Sequence, residues 1–253
     1  MRLVTLGTAA AAVPRAGDAG SGHLVEHEGT RLLVDCGSGV LGALVKAAPL
    51  ETLSAVYLSH LHHDHVADLY PLALWARFTK RRLQVLGPPG LRTLLYRWFS
   101  LFSSDPDPYV EALEVVEVEA WRTYAVGALA LTACPVEHNV ACFALRVQAG
   151  GRTLVYSGDT RAGGLVEEAA QGADLFLCEA TYQDLPEGRT PEKSRDHHMT
   201  AREAGEVARR AGAKRLVLTH VKHDLDPQVS LRQAEETFGA RVELAEPLAA
   251  HEV

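Results

Sequence analysis

The residues best suited to chemistry lie in one short run, Ser59-His60-Leu61-His62-His63-Asp64-His65, after an apolar stretch that predicts a buried strand at residues 54–59. In an extended segment, residues two apart point the same way, so His60 and His62 can bind one ion together. Asp64 and His65 then begin the next element and can face a second ion. Imidazole and carboxylate are ligands that zinc accepts, so the run predicts a metal centre.

His63 faces away from its neighbours in this arrangement, and we leave it outside the predicted site. The competing interpretation of the run is a histidine-rich surface loop. Chance rarely places such a pattern of ligands directly after a strand, and the metal-binding interpretation is therefore favoured.

One cluster cannot complete two metal sites, so further ligands must come from other parts of the chain. Three candidates, His138, Asp159 and His220, each follow an apolar strand-like run. Functional groups of α/β folds collect at the edge of the sheet where strands end. Taken singly, each residue is explained as a helix cap, a turn residue or a hydrogen-bonded histidine. Taken together, they favour the second part of one site.

The rest of the chain alternates strand-like and helical stretches, which predicts one α/β domain over residues 1–253, with two sheets and helices outside. Strands are predicted at residues 2–6, 54–59, 83–86, 113–119, 127–133, 142–148, 152–157, 174–180, 215–220 and 241–245, with a hairpin at 23–37 that turns at Glu28-Gly29. Helices are predicted at residues 38–47, 66–79, 88–102, 200–211 and 230–238. The proline-rich residues 103–109 predict a loop and are the best candidate for a mobile segment or lid.

The net charge of −7 gives no support for a general attraction to nucleic acid or acidic lipid. The basic run Lys80-Arg81-Arg82 is either a local anion contact or a solvated loop. The first residues have some signal-peptide character, but a first strand is the favoured interpretation. No apolar run approaches the roughly 18 residues of a membrane helix.

The four cysteines all lie in apolar, strand-like contexts and form no C-x-x-C pair; they are Cys36, Cys134, Cys142 and Cys178. This usage predicts reduced core cysteines and a cytoplasmic protein rather than a disulfide framework.

The sequence resembles the metallo-β-lactamase superfamily, because it carries the five ligand motifs of that family: His60-x-His62-x-Asp64-His65, His138, Asp159 in Ser157-Gly158-Asp159-Thr160, and His220 in Thr219-His220. The resemblance implies an α/β fold, a four-layer αβ/βα sandwich of two mixed sheets with helices outside. It also implies that His60, His62 and His138 bind a first metal ion. Asp64, His65 and His220 would bind a second, with Asp159 as the bridge. Zn²⁺ is the expected metal, with Mn²⁺ or Fe²⁺ as alternatives, because the di-iron redox branch has glutamate where this chain has His62.

Two further segments, Glu179-Ala180-Thr181-Tyr182 and His198-Met199-Thr200-Ala201, resemble the tRNA 3′-processing endonuclease (ribonuclease Z) branch. By that resemblance His198 acts in catalysis and Glu179 supports it. The alternative is a surface histidine before a helix capped by Thr200.

The chain also departs from that branch. Only 20 residues separate His138 from Asp159, where those enzymes typically insert a long substrate-clamping arm. The residues after His220 differ from their pattern, and Asp68 stands where they usually have glycine. The chain is more similar to a smaller bacterial group that resembles cyclic-nucleotide-degrading phosphodiesterases, with which it shares segments such as SHLHHDHVADL and YSGDT.

The resemblance therefore implies a dinuclear metal-dependent hydrolase that attacks a small phosphodiester such as a cyclic nucleotide, with water activated between the two ions. Asp64 is expected both to bind metal and to accept a proton. His198, held by Glu179, is expected to protonate the leaving oxygen or to steady the phosphate. Dimers are common among similar proteins, nucleic acid is not the favoured partner, and no membrane is expected.

Three alternatives remain open. One is a tRNA 3′ endonuclease that recognises RNA without the arm. Another is a carboxyl-ester, thioester or lactone hydrolase that uses the same ions. The third is a binding module that retains zinc without catalysis, and it is the weakest because every expected ligand is present.

Overall fold

The computed structural model describes residues 1–10, 16–184 and 197–253. The strands of this part of the chain are β1 (Arg2–Gly7), β2 (Gly22–His27), β3 (Thr30–Val34), β4 (Ala55–Tyr57), β5 (Leu83–Gly87), β6 (Leu113–Glu117), β7 (Thr123–Val126), β8 (Leu129–Val136), β9 (Cys142–Ala149), β10 (Arg152–Tyr156), β11 (Leu175–Glu179), β12 (Leu216–Thr219), β13 (Glu243–Leu244) and β14 (Ala250–Glu252). The helices are α1 (Val40–Ala47), α2 (His63–Val66), α3 (Leu69–Phe78), α4 (Leu91–Ser100), α5 (Asp107–Val110), α6 (Gly164–Ala170), α7 (Ala201–Arg210) and α8 (Pro227–Phe238), and a short 3₁₀ helix covers Leu50–Thr52. Within the same residues, no helix is long and apolar enough to span a membrane.

The strands form two seven-stranded mixed sheets, in the orders β14-β1-β2-β3-β4-β5-β6 and β13-β12-β11-β10-β9-β8-β7. In the first sheet, β3 to β6 pair in parallel and the remaining pairs are antiparallel. In the second sheet, β10 to β13 pair in parallel and the strands β7 to β10 pair antiparallel. Each sheet therefore contains a block of parallel strands whose carboxyl ends meet at one edge.

Three separate apolar clusters show the layering of these sheets. The alternation of side chains along β3 is an example: Leu33 packs in a cluster with α1, α3 and α4, whereas Leu32 and Val34 pack between the two sheets. A third cluster joins the second sheet to α6, α7 and α8. Three apolar clusters separate four layers, so the chain is an αβ/βα sandwich, as the sequence predicts.

Turn chemistry explains two connections that the sequence predicts. Glu28 and Gly29, with φ of 44° and 79°, join β2 to β3, and Gly150 and Gly151, with φ of 56° and 72°, join β9 to β10. Positive φ at both central residues is the type I′ turn that matches the twist of a hairpin. The first strand and the four free, buried cysteines also agree with the predictions.

The structure differs from the predicted elements in several places, among them helix α6, which the sequence does not predict. The sequence predicts one helix at 66–79, but α2 and α3 are separate, because Asp68 is fixed between them: its carboxylate accepts from Leu41 N at 2.8 Å and its N–H donates to Cys36 O. A helical turn, α5, lies partly within the predicted loop 103–109. Strands β7 and β14 are not predicted, because both are short and largely exposed and so lack a clear apolar alternation.

Candidate metal centre

The local geometry of the histidine run follows from the end of β4. The chain stays extended after this strand as far as His62, which is the N-cap of α2 with ψ of 149°. His60 and His62 therefore lie on one side, and His60 Nε2 is 3.1 Å from His62 Nδ1. Asp64 and His65 belong to the first turn of α2 and are both buried. The His63 side chain is 71% exposed, which agrees with leaving it out of the site.

Strand ends of the second sheet bring the other three candidates to the same place. His138 follows β8, Asp159 follows β10, and His220 follows β12. Gly158 has φ of 59°, and a Cβ there would lie 3.2 Å from the Cβ of Ser59, which follows β4, so glycine lets this strand end approach the first sheet closely. His220 adopts a φ of 58°, a backbone conformation that residues other than glycine rarely take and that is concentrated at functional sites.

The donor atoms of His60, His62, His138 and Asp159 form the first group. His62 Nδ1 lies 3.1 Å from His60 Nε2 and 3.3 Å from His138 Nε2, and His60 Nε2 lies 3.7 Å from Asp159 Oδ2. Atoms bound tetrahedrally at 2.0–2.1 Å from one zinc ion are about 3.3 Å apart. The observed separations therefore fit one ion.

The second group is Asp64, His65 and His220, and the donor atoms of Asp159, His198 and His220 form a third group that overlaps it. Asp159 Oδ2 is 3.4 Å from His65 Nε2 and 3.6 Å from His220 Nε2. Asp64 Oδ2 is 3.5 Å from His220 Nε2 and 3.9 Å from His65 Nε2. One carboxylate oxygen thus lies between two sets of ligands, which is the arrangement that a bridging aspartate requires.

Unpartnered buried atoms test whether this group fits a metal. Among the described residues, seven buried side-chain N or O atoms make no hydrogen bond, and three of them belong here: His65 Nε2, His220 Nε2 and Asp159 Oδ1. A buried polar atom without a partner costs about 1–3 kcal/mol. Three of them converging in one cluster of imidazole and carboxylate donors fit a divalent cation, which would complete their coordination.

The pKa shifts within the cluster have clear physical causes. Burial lowers the pKa of His60, His62 and His138 and so favours the neutral imidazole that binds metal. Burial also opposes a charge on His65, but Asp159 and Asp35 beside it raise its pKa well above the usual value. The pKa of Asp159 is held low despite its burial, because His220 and His65 lie against it.

Asp35 is a site residue that the sequence interpretation missed. This fully buried carboxylate accepts hydrogen bonds from His65 Nδ1 at 2.7 Å, from Ser59 N at 2.7 Å and from Tyr156 Oη at 2.8 Å. The bond to Nδ1 leaves Nε2 of His65 for the cluster and fixes the ring. Asp35 directly follows the apolar strand β3, the same signal that identified Asp159 and His220.

Glu179, the last residue of β11, connects His198 to the cluster. Its carboxylate is fully buried and accepts from His198 Nδ1 at 3.0 Å, from Thr160 N at 2.6 Å and from Thr181 Oγ1 at 2.6 Å. Thr181 Oγ1 in turn lies 2.8 Å from His220 Nδ1. The same group of hydrogen bonds therefore orients one predicted metal ligand and the predicted catalytic histidine.

His198 is held next to the metal cluster but makes its best contact with Glu179. Its ring stacks on His220 with centroids 5.7 Å apart, and its Nδ1 is 3.9 Å from Asp159 Oδ2. Burial works against a charge on this ring, but Glu179 prevails and raises the pKa of His198 to about 9. The predicted helix cap at Thr200 is also confirmed, because Thr200 and Glu203 form a capping box at the start of α7.

The structure thus brings every sequence-predicted site residue together. His197, which the sequence does not single out, contributes its backbone: its carbonyl oxygen accepts from His138 Nδ1 at 3.0 Å. Thr181 and Tyr156 carry no sequence signal of their own, because hydroxyl side chains near strand ends are common and only the fold shows what they contact.

Comparison with known proteins identifies similar chains over the whole length. A family model described as a β-lactamase superfamily domain matches residues 30–221. A probable metallo-hydrolase of Bacillus subtilis, YhfI, is 32% identical over 92% of both chains, and its crystal structure superposes with a TM-score of 0.86, covering 100% of this chain and 99% of that one. A ribonuclease Z of Myxococcus xanthus is 32% identical over 97% of this chain and 95% of its own. The short form of human tRNase Z is 25% identical, with a TM-score of 0.78 and coverage of 100% and 99%.

Proposed function

The chain belongs to the metallo-β-lactamase superfamily, and on that premise we propose that this metal-dependent hydrolase cleaves a small phosphodiester, with a cyclic nucleotide as the first candidate. The observation that carries the proposal is the pair of ligand groups that share Asp159 Oδ2. Two-metal sites of this kind serve in-line displacement at phosphorus, because both the attacking and the leaving oxygen need stabilisation.

We assign the metal ligands as the distances group them. His60, His62 and His138 would hold one ion, Asp64, His65 and His220 would hold the other, and Asp159, whose Oδ2 lies near both groups, would be their shared ligand. Their imidazole and carboxylate donors suit Zn²⁺ first, and Mn²⁺ or Fe²⁺ as alternatives. When bound, such ions lower the pKa of water toward neutrality and neutralise charge on the phosphate oxygens.

Asp64 and His198 would move the protons of the reaction. Asp64 belongs to the second ligand group, where its carboxylate can accept the proton of the attacking water. His198 uses Nδ1 for the bond to Glu179, so Nε2 is the nitrogen that can donate to the leaving oxygen. Glu179 positions that ring and favours its protonated form. Acid catalysis by a positioned side chain is worth typically 10²–10⁴-fold.

The segment between two ligands supports a small substrate. Between His138 and Asp159 the chain forms only β9 and β10, which pair with each other through the turn at Gly150-Gly151. No additional arm emerges there to clamp a large RNA. The net charge of −7 also gives no general attraction to a polyanion, although phosphate contacts normally dominate nucleic-acid affinity.

A tRNA 3′-processing endonuclease is the second candidate. It is favoured by the match to a ribonuclease Z over 97% of the chain and by the His198 and Glu179 pair. On this alternative the chain would recognise RNA without an arm between His138 and Asp159.

A substrate panel tests these candidates directly. Bis-p-nitrophenyl phosphate, cyclic AMP, precursor tRNA and a thioester would each be incubated with wild-type protein, with Asp159→Ala and with His63→Ala as the matched control. We expect turnover of the first two substrates that Asp159→Ala abolishes and His63→Ala preserves. Accurate cleavage of precursor tRNA with no turnover of cyclic AMP would select the second candidate, and thioester hydrolysis alone would contradict both.

A further inference from the structure

The basic run that the sequence analysis leaves open lies on a cleft of about 320 Å³ that is open to solvent. Four cationic side chains line this cleft, from Arg77, Lys80, Arg81 and Arg82. The chain as a whole carries a net charge of −7, so a concave surface with four cations is not what its composition predicts. A volume of this size lies within the range of small-molecule sites.

Within the described residues, three of these cations have no anionic partner. Arg77, Lys80 and Arg82 form no ion pair with any residue in the described part of the chain. Arg81 is fixed instead, because its guanidinium donates to Glu51 O at 2.7 Å and lies over the Trp75 ring at 5.8 Å. Charged groups of one sign within a concave surface concentrate counter-ions there.

The end of helix α3 places these groups. Lys80 N donates to Arg77 O and Arg81 N donates to Ala76 O, which is the Schellman pattern that ends a helix. The residue in the left-handed position of that motif is usually glycine, but here it is Lys80, with φ of 57°. A strained lysine keeps an ammonium group at a position where glycine would cost less. The negative end of the helix dipole accounts for part of the cluster, since it attracts cations within the last turn, but Arg82 lies beyond that turn.

The other lining residues indicate what kind of anion fits. Ala76, Pro108 and Ala112 give the cleft an apolar portion, and Glu111 is its single carboxylate. One guanidinium group can bind a phosphate through two parallel hydrogen bonds, and an apolar surface can hold a carbon framework or ring. The lining therefore suits a compact molecule that carries more than one phosphate.

The cleft is distant from the metal centre. Arg82 directly precedes β5, whose carboxyl end at Gly87 lies beside Leu58 near the histidine run. The five residues of β5 span about 16 Å, so the cleft lies at the opposite edge of the first sheet. A ligand there does not reach the metal ions.

We propose that this cleft is a second binding site, which takes a small polyphosphate or bisphosphate separately from the reaction at the metal centre. The claim does not depend on which substrate the metal centre cleaves.

The test is isothermal titration of inorganic pyrophosphate into the metal-loaded protein. Arg77→Gln/Arg82→Gln is compared with the control Arg97→Gln/Arg209→Gln, which changes the net charge equally at exposed positions outside the cleft. Each lost charge-assisted bond is worth about 10-fold in affinity, so the cleft variant should lose a binding event by at least that factor. The control should retain it, and both should turn over bis-p-nitrophenyl phosphate at the wild-type rate.

Arg82→Gln alone serves if the double variant loses its fold, and melting temperatures of all variants check this. Absence of a pyrophosphate site in the wild-type protein would overturn the proposal, as would an equal loss in the control, which would show a general charge effect. Binding of anionic vesicles or RNA that depends on Arg77 and Arg82, without binding of pyrophosphate, would assign the cleft to a macromolecule and overturn it as well.

Discussion

The two ligand groups of the centre are held by the protein in different ways. In the first group, His62 and His138 are half-buried, and the partner of His138 is a backbone carbonyl at His197. In the second group every ligand is buried, and fixed side chains orient the rings: Asp35 binds His65, and Thr181 binds His220.

This difference predicts how tightly each ligand group holds its ion. Buried ligands whose second nitrogen is fixed lose little freedom when they bind, so the second group should hold its ion more tightly. The half-buried first group should exchange its ion more readily and lies closer to solvent and to an incoming substrate. We therefore expect partial chelation to remove the ion of the first group before that of the second.

The largest expected effect comes from the one residue that the two groups share. Asp159→Ala should lower turnover of bis-p-nitrophenyl phosphate on the order of 10³-fold, because paired ions supply several kcal/mol and each 1.36 kcal/mol is tenfold in rate. Steady-state kinetics and elemental analysis check this, with about two ions per chain expected in the wild type and fewer in the variant. His63→Ala is the control, and a wild-type rate in Asp159→Ala would refute the bridging assignment.

His198 should affect chemistry and leave the metal content of both groups unchanged. His198→Ala should lower kcat for cyclic AMP by roughly 10²-fold, the usual worth of a positioned acid. The loss should shrink for a p-nitrophenyl ester, because p-nitrophenolate leaves without a proton. His197→Ala keeps the backbone carbonyl and should have little effect.

Comparison of the two substrates separates the roles of His198. An equal loss on activated and unactivated substrates would indicate that His198 positions the phosphate instead. A loss of metal in His198→Ala would make it a ligand, which its 3.9 Å separation from Asp159 Oδ2 keeps within reach.

The sequence predicts the metal ligands of this centre better than it predicts the residues that orient those ligands. His60, His62, Asp64 and His65 are adjacent along the chain, and local geometry alone decides where they point. The remaining ligands are candidates because each follows an apolar strand-like run, and the resemblance to a family then assigns each of them to an ion. Asp35 contacts residues 24, 30 and 121 positions away, and such contacts exist only once both sheets have packed.

The same limit applies to the elements of the fold. Buried strands such as β10 and β12 are predictable because they are continuous apolar runs. The edge strand β14 is a short, largely exposed segment whose pairing with β1 crosses almost the whole chain. A strand of three residues is too short to show an apolar periodicity, and its extended conformation is determined by pairing with β1.

The support of the second group can be weakened more than that of the first. Asp35→Asn keeps the shape of the side chain but removes the charge that accepts from His65 Nδ1. Loss of such an outer contact typically costs 10–100-fold in metal affinity. We expect the larger loss at the second group, because Asp35 reaches the first group only indirectly, through Ser59 Oγ, which lies 3.1 Å from His60 Nδ1. Competition with a chromophoric chelator measures it, and Asp174→Asn, which alters a carboxylate remote from the centre, is the control. An equal loss at both groups would contradict the division between them.

The smallest expected effect is a pH dependence that the same contacts produce. In metal-free protein, the pKa of His65 is raised by Asp159 and Asp35 despite its burial. The stability from its charged form is therefore fully present below the unfolded pKa of about 6.5 and is lost as pH rises through the higher folded pKa. A metal ion must displace the proton of His65 in order to bind. Metal affinity therefore increases as pH rises, whereas the stability of the metal-free protein decreases.

The loss of stability in the metal-free protein and the gain in metal affinity both widen the gap in melting temperature between metal-loaded and metal-stripped protein as pH rises above about 6.5. One unit of pKa shift is worth about 1.36 kcal/mol, which is roughly 3–5 °C in melting temperature for a domain of this size. Thermal unfolding of both forms across this range measures the gap. In Asp35→Asn the gap should grow less steeply, because one of the two carboxylates that favour the charged His65 is gone. A gap that does not change with rising pH would show that His65 is already neutral before the metal binds, and the second group would then be no more dependent on its carboxylates than the first.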